Sequence, residues 1–133
     1  MLSNKDKGRI GLATAIHYYS LQGYTISLPL NDTQWYDLII EKDGKLETVQ
    51  CKCTETEDAA IDFRSTGGTN GSEYDNILNH LELDYLFCLD KDMNKFHIPV
   101  KDIRKSNNKH SIKLRTKPNA NNQGFQTYKY LVE

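Results

Sequence analysis

Apolar and polar positions recur with two different periods along the chain, and the switches between them divide it into elements. Residues 3 to 22 follow a helical period: Ile10, Ala13 and Ile16 make one stripe, widened by Leu12, Ala15 and Tyr19. Ser3 stands at a capping position with Asp6 three residues on, and Gly23 follows the last periodic residue as a stop. Residues 24 to 30, YTISLPL, alternate with a period of two, and Pro29 marks an edge or an end of that strand. Residues 35 to 41 and 46 to 54 read as two further strands. Asp43-Gly44 between them is a strong hairpin signal.

The second half is read the same way. Residues 60 to 65 predict a strand and TGGTNGS, 66 to 72, a flexible loop. Residues 73 to 82 predict a short helix with Tyr74, Ile77, Leu78 and Leu81 on one side. Strands follow at 84 to 89 and 95 to 98, then a helical turn at 99 to 103, a last strand at 111 to 115 and a turn-rich stretch at 118 to 124. The order of helix, strands, helix, strands predicts an α+β or mixed α/β fold. The length of 133 residues suits one domain, 1 to 133, around one core.

The hairpin brings chemistry into view. A loop symmetric about Asp43 and Gly44 pairs Glu41 with Leu46, Ile39 with Thr48 and Asp37 with Gln50. Lys52 lies two residues beyond Gln50 and shares its face. The opposite face carries Tyr36, Leu38, Ile40, Val49, Cys51 and Cys53, apolar enough to be the core. A carboxylate and an amide oxygen are hard ligands suited to Mg2+ or Mn2+, and the backbone carbonyl of Cys51 could add a third. A lysine beside such an ion can orient a water and offset charge on a phosphoryl group. The same spacing also suits a solvated Asp-Lys pair on a sheet surface.

Three cysteines, Cys51, Cys53 and Cys88, are an odd count at irregular spacing and do not make a disulfide framework. With His97 they are the obvious soft ligands for a zinc ion, but Cys51 and Cys53 point to the predicted core, where free cysteine acts as a small hydrophobe. His17, His80, His97 and His110 are scattered and read as structural or exposed. No apolar run is long enough to cross a bilayer and the first residues lack the apolar region of a signal peptide, so a cytoplasmic protein is expected.

The net charge of -1 is unevenly spread. Residues 55 to 92 hold ten acidic side chains against Arg64 and Lys91. Residues 101 to 117 hold Lys101, Arg104, Lys105, Lys109, Lys113, Arg115 and Lys117 against Asp102 alone. A basic segment of this kind is what a DNA phosphate backbone would meet, and equally what a solvated loop would carry.

The stretch from Lys7 to Thr54 resembles the PD-(D/E)XK nuclease superfamily, in particular its small branch related to intron-encoded homing endonucleases and archaeal-type Holliday junction resolvases. The resemblance rests on the G-x-x-G of Gly8 and Gly11, the GY-x-h of Gly23, Tyr24 and Ile26, and the YDLhh of Tyr36 to Ile40. It continues in the hQhK of Val49 to Lys52 followed by Thr54, and more loosely in the h-x-h-P of Phe96 to Pro99. It implies a central mixed sheet flanked by helices, with Asp37 and Gln50 as metal ligands and Lys52 as the catalytic lysine. It further implies a Mg2+-dependent endonuclease acting on DNA, and two-strand cleavage implies a homodimer. There are two departures. Gln50 stands where an acid is usual, and as a neutral ligand it should hold a metal more weakly. Leu12 stands where many relatives carry a glutamate directly after the G-x-x-G.

Overall fold

The computed structural model describes residues 2–31, 33–65, 75–119 and 124–133. The chain opens with α1 (Asn4–Leu21), capped by Ser3, whose hydroxyl accepts the Asp6 N–H at 3.1 Å. Gly23, at φ 89, ends it and turns the chain into β1 (Thr25–Ser27). The strands β2 (Leu38–Lys42) and β3 (Lys45–Cys53) form the expected hairpin. Asp43 and Gly44 both adopt positive φ, 54 and 80, the backbone a two-residue turn between right-twisted strands requires. The register follows the sequence count, with Glu41 opposite Leu46 and Ile39 opposite Thr48.

After β4 (Ala60–Asp62), β5 (Arg64–Ser65) and β6 (Asp75–Asn76), the chain enters β7 (Tyr85–Leu89) and β8 (Lys95–Pro99). Then come α2 (Val100–Lys105), β9 (Ser111–Lys113) and β10 (Leu131–Val132). The main sheet runs β1-β2-β3-β7-β8-β10, antiparallel except for the parallel pair β3 and β7 at its centre. Separately, β4 pairs with β9 and β5 with β6.

Both faces of the sheet are covered. On one, α1 packs Ala15 and Tyr19 against Leu38, Ile40, Val49, Phe87 and Leu89. On the other, Leu86, Cys88, Phe96 and Ile98 meet Ile61, Phe63, Ile77, Val100, Ile103 and Ile112. Burial on both faces is the condition for a central parallel pair.

Several sequence expectations need correction. The buried stripe of α1 is Gly11, Ala15 and Tyr19, while Ala13 faces solvent, because the helix docks through its small residues. The strand expected over 24 to 30 pairs only at Thr25–Ser27, and Leu28 leaves the edge of β2 one residue before Pro29. The strand expected at 35 starts at Leu38, and Tyr36 packs on the second core instead of the α1 face. Residues 60 to 65 break at Phe63, whose N–H bonds His110. No helix forms at 75 to 82. Asp75 and Asn76 pair as a strand and a single 3-10 turn, Ile77–Asn79, follows under the Asn76 side chain, which accepts the Leu78 N–H. The loop 66 to 72 and Tyr74 lie outside the described residues. No helix among the described residues is long and apolar enough to cross a membrane.

Candidate active site

Strand alternation decides which groups of β3 point where. Gln50 and Lys52 lie level with Leu86 and Cys88 of β7, so their side chains share the face of the second core. Their backbone groups bond β7, and the Thr54 N–H continues that ladder to Leu89 at 3.0 Å. The backbone groups of Val49 and Cys51 therefore point the other way, toward β2. There β2 stops at Leu38. Asp37, one residue before it, donates its N–H to the Val49 carbonyl at 2.8 Å, and its carboxylate Oδ2 accepts the Cys51 N–H at 2.7 Å. A side-chain carboxylate thus replaces the strand carbonyl that would otherwise cover Cys51.

This places Asp37 opposite Gln50, one step beyond the paired Leu38 and Val49. Burial pushes the Asp37 carboxyl above the ordinary aspartate range, against the pull of the Cys51 N–H and of the Lys52 charge. Lys52 stands on the same face of the hairpin, one alternation beyond Gln50. Lys52 also helps, behind the hydrogen bonds from Arg64, to hold Asp62 of β4 below the usual range.

Gln50 presents the most telling atom. Its side-chain oxygen Oε1 is buried and has no hydrogen-bond partner among the described residues. Buried acceptors are nearly always satisfied, so this oxygen is available to an incoming ligand. The donors available there are one carboxylate, one amide oxygen and the Cys51 carbonyl, which strand geometry turns toward the Asp37 side. All are hard oxygens and fit Mg2+ or Mn2+ better than a soft metal.

A cleft of about 240 Å3 opens beside Asp37, with Leu12 on its α1 wall and Asn31 and Gln34 across from it. Among the described residues no group of three His, Cys, Asp or Glu side chains comes together. Asp32 lies outside the described residues, and Glu41 is exposed near the hairpin turn. A second cleft, of about 200 Å3, lies where Lys7, Gly8 and Gly11 of α1 meet Cys51 to Cys53 of β3. A methyl group added at Gly11 would just touch the Cβ atoms of Cys51 and Cys53, at 3.8 and 3.9 Å. One added at Gly8 would meet nothing within 4 Å. A glycine inside a helix costs up to about 1 kcal/mol relative to alanine.

The cysteines behave as core residues. All three are free. Burial pushes the thiol of Cys51 well up and that of Cys88 up to about 12, so neither is poised as a thiolate. His97 is held among aromatic rings, with its Nδ1 at 2.8 Å from the Tyr19 hydroxyl and Tyr85 stacked on it at 4.3 Å between centroids. Burial lowers its pKa. His80 stacks on Trp35 at 3.6 Å.

The basic segment is divided by the fold. Lys101, Lys105, Lys109, Lys113, Arg115 and Lys117 are exposed. Arg104 donates to the carbonyls of Leu78 and His80, at 3.1 and 2.7 Å, and fastens the 3-10 turn to α2. Lys101 and Arg104 border one cleft with Glu47 and Asp84. Arg115 and Lys117 border another with Glu57 and Asp90. Sequence reasoning did not single out Asp62, whose carboxylate feels the Lys52 charge.

Residues 2–130 match the family model described as PD-(D/E)XK endonuclease. The chain belongs to the PD-(D/E)XK endonuclease family. Its fold agrees with that of a solved bacterial homing endonuclease, I-Ssp6803I. That match has a TM-score of 0.75 and 22% identity, and it covers 98% of this chain and 89% of the other. No curated protein matches the sequence. Within this PD-(D/E)XK chain, the mixed sheet covered on both faces is the fold that the sequence resemblance implied.

Proposed function

We propose that this protein is a divalent-metal-dependent DNA endonuclease. The observation that carries the reading is the buried, unpartnered Oε1 of Gln50, on the strand face that the register gives to Asp37 and Lys52 as well. In this reading Asp37, Gln50 and the Cys51 carbonyl hold Mg2+ or Mn2+. When bound, the ion supplies Lewis-acid stabilisation of charge on the phosphoryl group under attack. Lys52 orients the attacking water and offsets the negative charge that develops beside it. The Cys51 N–H holds the Asp37 carboxylate through Oδ2, and in this reading the carboxylate serves the ion from that fixed position. The exposed cations of residues 101 to 117 meet DNA phosphates. Two-strand cleavage calls for two such sites, hence a homodimer acting in the cytoplasm.

The test uses purified wild type and Lys52→Ala with supercoiled plasmid and with a four-way junction, in Mg2+, Mn2+ or EDTA. Cleavage that needs metal and disappears in Lys52→Ala supports the reading, and the preferred substrate separates a homing or restriction-like role from a junction-resolving one. Equal cleavage by both proteins refutes it.

A second reading is favoured by one observation. Leu12, on the cleft wall beside Asp37, is apolar where many relatives carry an acid. A nuclease fold that binds DNA or a protein partner without cutting would show no cleavage by either protein and binding that survives EDTA.

A further inference from the structure

We infer that Trp35 and His80 are positioning residues of the proposed metal site: their stacked rings hold the segment that presents Asp37 opposite Gln50. The inference rests on the nuclease reading and adds to it two residues that act on the site only through Asp37.

Asp37 needs such a support because no strand carries it. β1 ends at Ser27, β2 begins at Leu38, and residues 33 to 37 form neither helix nor strand. Chain outside the ladders opens at lower cost than chain within them. Asp37 has two bonds of its own, from its N–H to the Val49 carbonyl and from the Cys51 N–H to its carboxylate. Both run to the same edge of β3. A further anchor away from that edge is needed to fix the direction from which the chain arrives.

Trp35, two residues earlier, supplies it. Its ring lies on that of His80 with centroids 3.6 Å apart and planes 21° from parallel. A flat contact between rings fixes tilt as well as distance. Both rings are half-buried at the rim of the second core, so what the stack fixes is the chain at that rim.

His80 is itself a firm platform. Its N–H donates to the Ile77 carbonyl at 3.1 Å, and its own carbonyl accepts the Leu83 N–H at 3.1 Å and Arg104 Nη2 at 2.7 Å. Its Nδ1 lies 3.5 Å from the Glu82 carboxylate. Arg104 donates to Leu78 as well, at 3.1 Å. The 3-10 turn is thus tied to α2, His80 to the turn, and Trp35 to His80. The chain from Trp35 to Asp37 hangs on that series.

Trp35 is the single tryptophan of the chain, so its emission reports the stack directly. The test compares full-length, DNA-free wild type, His80→Ala and His80→Phe by tryptophan emission, urea denaturation and Mn2+ calorimetry. His80→Ala should uncover the indole and shift its emission to longer wavelength. It should also weaken Mn2+ binding about tenfold, as the loss of an outer support does at a metal site. His80→Phe keeps a flat ring and should restore both. A merely structural stack would lower the urea midpoint of His80→Ala and leave the Mn2+ affinity of the folded protein unchanged. That result would overturn the inference while leaving the nuclease reading standing, and so would an equal loss of affinity in His80→Phe. Absence of Mn2+ binding in the wild type would overturn both.

Discussion

Replacing Gln50 by methionine is expected to stabilise the metal-free protein while weakening its response to metal. Oε1 of Gln50 is buried without a donor among the described residues. Leaving such an acceptor unsatisfied costs about 1–3 kcal/mol. Methionine is unbranched, adapts to irregular space and removes the acceptor. It would lie level with Leu86, which is fully buried on the same face. The expected gain is about 1–2 kcal/mol, or a rise of about 4–7 °C in Tm for a chain of this size. Metal that binds only the folded state adds about 2.7 kcal/mol at one hundred times its Kd. That increment should shrink in the variant, because a donor is gone. Urea denaturation of both proteins in EDTA and in saturating Mn2+ measures all four stabilities. A loss of about 1 kcal/mol or more in EDTA would refute the reasoning, since it would mean that Oε1 is already satisfied. An equal Mn2+ increment in the two proteins would refute the role of Gln50 as a ligand.

Asp37→Asn tests the carboxylate through pH. Burial raises the folded-state pKa of Asp37, so its contribution to stability is fully present below the ordinary value of 3.8 and is lost as pH rises through the folded value. The asparagine variant escapes that loss. Its Tm should exceed that of the wild type at neutral pH, the difference should vanish by about pH 3–4, and cleavage should be absent throughout; a constant difference across the range would contradict the assignment. Leu12→Glu adds an acid to the cleft wall beside Asp37 and should tighten Mn2+ binding by roughly tenfold, read by calorimetry on the DNA-free protein. Unchanged affinity would mean that position 12 does not reach the ion. Gly44→Ala forces a side chain into the turn at φ 80 and should cost about 1–2 kcal/mol in denaturant melts. No loss would show that the turn can rearrange.

The parts of the fold legible in the sequence are those set by short-range rules. Ser3 and Asp6 at one end and Gly23 at the other bound α1, and Asp43-Gly44 sets the hairpin register that brings Asp37 opposite Gln50. The parts that were not legible depend on distant partners. Residues 73 to 82 carry helical spacing, yet Asn76 pairs with Arg64 across β5 and β6, and the chain reaches only one 3-10 turn before Leu83 is drawn into the core. The short strand β10 shows no alternation of its own and exists because β8 offers a free edge to Leu131 and Val132. Ala13 has the hydrophobicity of a core residue, but docking through Gly11 and Ala15 rotates it to solvent. Arg104 reads as a phosphate contact by charge, and only the fold reveals the two carbonyls that hold it.

The burial that makes the site costly is also what makes it rigid. The parallel pairing of β3 with β7 puts Gln50 at the middle of a sheet covered on both faces, where its side chain stands beside Leu86 and cannot turn freely to water. The early end of β2 exposes the outward backbone of Cys51 and lets Asp37 bond it directly. Gln50 is therefore held by β3 and Asp37 by its bonds to Val49 and Cys51, and in the proposed site little freedom remains to be lost on metal binding. The same enclosure withholds a partner from Oε1 and raises the pKa of Asp37. A substitution that recovers stability at either position must remove the unsatisfied oxygen or the buried charge, and each of those is a donor. In the proposed metal site, stability and metal binding are thus opposed at these two residues, and variants of Gln50 and Asp37 should move them in opposite directions.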